Sequence, residues 1–70
     1  MSPEQEALVE ALRVAWLGAK AAVDLVIREA EDAQVAGDTN RYNQILSEGR
    51  AAFVQLDRAE AAYVAAGGVV

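Results

Sequence analysis

Apolar residues recur at intervals of three and four along nearly the whole chain, the spacing of a helix face rather than the alternation of a strand. In the first half, Leu8, Val9, Leu12, Ala15, Trp16, Ala19, Val23, Val26, Ile27, Ala30 and Ala33 form a stripe close to a seven-residue repeat. In the second half, Tyr42, Ile45, Leu46, Gly49, Ala52, Phe53, Leu56, Tyr63 and Val64 fall within an arc of about 120° at about 100° per residue. The opposite side of that segment carries Asn43, Gln44, Ser47, Arg50, Asp57 and Arg58.

The breaks between the periodic stretches are equally legible. Ser2 followed by Pro3 and Gln5 has the form of a capping box, with proline where its missing donor costs nothing. Glu4 and Glu6 follow in the first turn, where the helix dipole favours negative charge. Gly37 is a left-handed stop, Asp38 or Thr39 can cap a second helix, and Gly67-Gly68 ends it. The pattern predicts one domain: a helix over 3–36, a turn at 37–38, a helix over 39–66 and a flexible tail at 67–70. So short a connection makes the helices antiparallel. The expected fold class is all-α: a coiled-coil-like two-helix hairpin that assembles into a bundle or docks on a larger complex.

The two helices differ in how much apolar surface they carry. A fold-back near residue 37 pairs positions whose numbers sum to about 75, which sets Ala19 against Leu56, Val23 against Ala52, Val26 against Gly49 and Ala30 against Ile45. Those pairs use up one stripe of the first helix. A second patch, including Ala11, Val14, Leu17, Gly18, Ala21, Ala22 and Leu25, lies beyond it. A soluble monomer rarely exposes a contiguous apolar patch of that extent. Val14, Trp16, Leu17, Gly18, Ala21 and Leu25 are therefore the expected protein interface.

Composition sharpens this picture. Of the 70 residues 54% are hydrophobic, but 16 are alanine, so few large side chains remain to build a core. Small scaffolds need disulfides, metal or association to offset conformational entropy. With no cysteine and no histidine, disulfides, Cys/His metal sites, thiol nucleophiles and imidazole-based triads are all excluded, and association is the remaining staple. The net charge of −5 disfavours nucleic acid and anionic lipid as partners. The longest uncharged run, from Ala61 to Val70, is half what a membrane span requires. The opening Met-Ser-Pro-Glu-Gln-Glu is acidic where a secretory signal is basic, so synthesis in the cytoplasm is expected.

Trp16-Leu17-Gly18 is similar, over three residues, to the triplet of the secreted helical hairpins that carry a W-x-G motif. In that family the triplet occupies the turn, whereas here the periodicity places it mid-helix. Trp16 therefore reads as a core or interface anchor, and Gly18 as a site of close helix approach. Small residues at Ala11, Ala15, Gly18 and Ala22, and at Gly49 and Ala52, point to backbones pressed against a neighbour, either within the hairpin or in another chain. Glu60 is the one polar residue inside the apolar arc of the second helix. It is read either as a carboxylate reaching solvent near a frayed end or as a register-fixing group that pairs with the Trp16 indole, with Arg13 or with a partner's base. The carboxylate pairs Glu6/Glu10 and Glu29/Asp32 interleave with Arg13, Lys20 and Arg28 as a solvated face. Arg41, Arg50 and Arg58 scatter around their helix and make no nucleic-acid stripe.

No catalytic, cofactor-binding or metal-binding residue and no small-molecule substrate is expected. The expected role is a non-catalytic structural or assembly subunit acting through helix packing, in a setting such as a virion or another large complex. The alternative is a small acidic inhibitor that occludes a site on a target protein.

Overall fold

The computed structural model describes residues 2–69. Two helices, α1 (Pro3–Val35) and α2 (Thr39–Ala65), pack side by side as an antiparallel hairpin, as the pattern predicts. The particle measures 52 × 15 × 13 Å, with a radius of gyration of 15.6 Å. A globule of this length would have a radius of about 11 Å. The hairpin is thus a rod whose only interior is the seam between its helices.

Each helix end is closed by its own chemistry. The Ser2 hydroxyl accepts from the Gln5 backbone N–H at 3.2 Å, and Asp38 does the same for Arg41 at 3.0 Å. Both caps satisfy donors that a helix start leaves orphaned. At the C-terminus of α1, Asp38 N–H donates to Ala33 O at 2.9 Å and Gly37 N–H to Gln34 O at 3.1 Å. At the end of α2, Gly68 N–H donates to Tyr63 O at 2.9 Å and Gly67 N–H to Val64 O at 3.0 Å. These paired bonds are the Schellman arrangement, which needs a left-handed residue at its corner. Gly37 (φ 72°) and Gly67 (φ 99°) supply it.

One half of the expected capping box is absent. The Gln5 side chain does not return to Ser2; its Nε2 donates instead to Ala66 O at 3.0 Å. The antiparallel fold sets the unsatisfied carbonyls ending α2 beside the first turn of α1. A long-range bond there ties the open end of the hairpin together.

The register follows the expected fold-back. Ala30, Ala33 and Ile45 form a buried cluster with Val26 and Tyr42 packed against it. Gly49 is buried directly against Val26. A Cβ on Gly49 would lie 2.5 Å from Val26 Cγ1, so this glycine serves the intramolecular seam. The buried apolar residues are Val23, Ala30, Ala33, Ile45 and Tyr63, and among the described residues no large side chain is wholly enclosed.

The seam is narrower than the arc read from the sequence. Leu46, Phe53 and Val64 on α2 and Leu8 and Ile27 on α1 are all substantially exposed. Two rods touch along a line, so residues well off the centre of either stripe lie on the flanks of the groove rather than inside it.

Candidate functional site

The outward face of α1 lies on the side of that helix away from α2. Val14, Leu17 and Leu25 are 57%, 41% and 55% exposed, and Gly18 and Ala21 beside them are exposed as well. These five positions follow one another along the helix as a ridge, because steps of three, four and seven residues return to one face. Space above Gly18 is open: a Cβ built there meets nothing within 4 Å. Glycine in a helix costs about 1 kcal/mol relative to alanine. At Gly18, unlike Gly49, no contact within the hairpin compensates for that cost.

Next to this ridge, Ala15, Gly18, Ala19 and Ala22 of α1 face Ala51, Ala52 and Gln55 of α2 across an open groove of about 420 Å³. Its walls are methyl groups and backbone, with Gln55 as the one polar side chain. Small-molecule sites combine apolar walls with several convergent polar groups that fix orientation. In this groove Gln55 is alone in that role.

Trp16 sits on the seam side of the ridge and is half-buried. Its ring stacks on Tyr63, with centroids 5.5 Å apart and planes 16° from parallel. Lys20 Nζ lies 5.4 Å from the Trp16 ring centroid, a cation–π position. The tryptophan is therefore held chiefly by its own hairpin. The Tyr63 hydroxyl donates to Val69 O at 3.3 Å, and Gly68 packs directly under the Tyr63 ring. Tyr63 thus joins three parts of the molecule: Trp16 on α1, its own helix and the segment after Gly67.

Charged groups border the ridge. Arg13 donates to Glu10 through both Nε (2.9 Å) and Nη2 (2.6 Å). The hydrogen bond from Arg13 holds the Glu10 carboxyl below the usual carboxylate value, and the same bond pushes the Arg13 guanidinium up. Arg13 is thereby committed to Glu10, while Glu60 lies half-buried on α2. Among the described residues no group of three or more acidic side chains is arranged to hold a metal ion. Among the same residues no helix is long and apolar enough to cross a membrane.

Periodicity places Ile27, Leu46, Phe53 and Val64 in the apolar stripes, whereas the structure leaves them exposed on the flanks. Their signal was present in the offset from the centre of each stripe. Compared with known families, curated proteins and solved structures, the chain matches none.

Proposed function

We propose that this protein is a non-catalytic structural subunit that assembles through helix packing on the outward face of α1. The observation that carries the reading is the continuous exposure of Val14, Leu17 and Leu25 on a helix whose opposite face is already occupied by α2. With only five buried apolar side chains among the described residues, the hairpin has little stability of its own to draw on, and covering the ridge supplies more. Each fully covered Val or Leu contributes about 1.5–3 kcal/mol relative to leaving it in water. The open space above Gly18 and the alanine-lined groove favour close approach of another helix. Synthesis in the cytoplasm followed by incorporation into a larger complex, with a virion as one such setting, completes the proposal.

The test is sedimentation of the purified chain beside three variants. Leu17→Glu and Leu25→Glu place a charge on the ridge and are expected to abolish association, with helical circular dichroism falling to that of the diluted native chain. Val54→Glu alters an apolar side chain that is 43% exposed on α2 and is expected to leave association unchanged. Equal association by all four proteins would overturn the proposal.

A further inference from the structure

We infer that the occupant of the outward α1 face is a second copy of this chain, laid antiparallel, with a twofold axis passing near residue 19. The inference rests on the assembly reading above and goes beyond it by naming the partner and its register.

The charges bordering the ridge carry it. On one border Glu10, Arg13, Asp24 and Arg28 are all exposed and lie within an arc of about 60° at about 100° per residue, which Leu17 shares and Lys20 adjoins. On the other border, over the same stretch, the residues are Ala11, Ala15, Gly18 and Ala22. In a parallel pair related by a twofold axis, the charged border of each helix faces the alanine border of its mate, and the charges find no partners. In an antiparallel pair like borders meet with their order reversed. The order Glu, Arg, Asp, Arg then faces Arg, Asp, Arg, Glu, opposite in sign at each of these four positions, while Leu17 and Lys20 between them lie opposite each other near the axis.

The apolar positions agree with this register to within one residue of the axis at 19. Val14 lies opposite Leu25 of the other copy, and Gly18 lies opposite Ala21, small residue against small beside the axis. Glu10 meets Arg28, and Arg13 meets Asp24. Since Arg13 is already bonded to Glu10, the four groups join into an alternating network on the border, formed twice by symmetry. One step further out Glu6 would meet Glu31, so the complementary stretch ends at 10 and 28. Gly18 sits beside the axis, where the two backbones approach most closely, which accounts for a glycine that the isolated hairpin does not need.

The chain contains no cysteine, so introduced thiols report alone. Val14→Cys and Leu25→Cys chains are mixed, oxidised and read by mass spectrometry, with circular dichroism confirming that each is helical. The expected result is a Val14→Cys to Leu25→Cys cross-link in excess over either self-linked product. Antiparallel register offsets two copies of position 14 by about 16 Å along the axis at about 1.5 Å per residue. That is beyond the reach of a disulfide. Separately, Arg28→Glu is expected to weaken association about tenfold. The fourfold exchange Glu10→Arg, Arg13→Glu, Asp24→Arg and Arg28→Glu is expected to restore it. Abundant self-linked Val14→Cys product, or association with neither cross-link, would overturn the antiparallel copy and leave the assembly reading standing. Light scattering that finds only monomer at hundreds of micromolar would remove both.

Discussion

Two glycines occupy helix interiors in this chain, and the structure assigns alanine substitutions at them opposite signs. At Gly49 the new methyl carbon would lie 2.5 Å from Val26 Cγ1 and 3.1 Å from Cγ2. Carbon atoms in favourable contact stand about 3.5–4.0 Å apart. Val26 cannot swing aside, because a β-branched side chain in a helix has one strongly preferred rotamer. Relief requires the helices to part, and overpacking of this kind costs about 1–3 kcal/mol. Better helix propensity returns about 1 kcal/mol. Gly49→Ala should therefore be destabilised by about 0–2 kcal/mol. Gly18→Ala meets nothing within 4 Å and receives the propensity gain alone, a stabilisation of about 1 kcal/mol. The assay is thermal unfolding followed by far-UV circular dichroism, run at two protein concentrations because association makes the midpoint concentration-dependent. For a chain of this size about 1 kcal/mol moves the midpoint by about 4–8 °C. At the lower concentration the expected order is Gly18→Ala above the native chain and Gly49→Ala at or below it. A Gly49→Ala protein that melts above Gly18→Ala would refute the packing of Gly49 against Val26.

Three further outcomes are expected. Gln5→Ala removes the bond to Ala66 O and should cost about 0.5–1.5 kcal/mol in chemical denaturation, with faster amide exchange at the open end of the hairpin. Unchanged exchange at both Gln5 and residues 64–68 would show that this tie does not form. Tyr63→Phe keeps the stack on Trp16 while losing the bond to Val69 O, so tryptophan fluorescence should stay native as stability falls by about 0.5–1.5 kcal/mol. Finally, the Glu10 carboxyl should titrate below the ordinary glutamate value by NMR, and Arg13→Ala should return it to that value. Because the folded-state value is the lower one, any stabilisation is present above the ordinary carboxylate value and is lost as pH falls through the lowered one.

Much of the fold was legible because its determinants are local. Ser2, Gly37, Asp38 and Gly67 fix helix ends through bonds that span only a few residues, and the short turn between 36 and 38 dictates the antiparallel arrangement. The fold-back register was also readable, since Ala30 with Ile45 and Val26 with Gly49 preserve one sum of positions. What periodicity could not supply was the width of the contact. Leu46, Phe53 and Val64 share a helical arc with Ile45 and Tyr63, yet only the latter two are buried. An arc describes one helix, whereas burial depends on how much of a cylinder its neighbour can reach. The use of Gln5 as a tie across the hairpin was hidden for a related reason, since its partner is 61 residues away. The two mid-helix glycines looked alike in sequence and separated only when the space around each was known.

The central claim is that α1 carries more apolar circumference than α2 can cover. It is tested most directly by measuring mass and helicity together while the chain is diluted from hundreds of micromolar to nanomolar. The account predicts that light scattering reports more than one chain at high concentration, and that helical circular dichroism falls as the particles dissociate. A particle of 7.4 kDa that keeps full helicity at every concentration would contradict it.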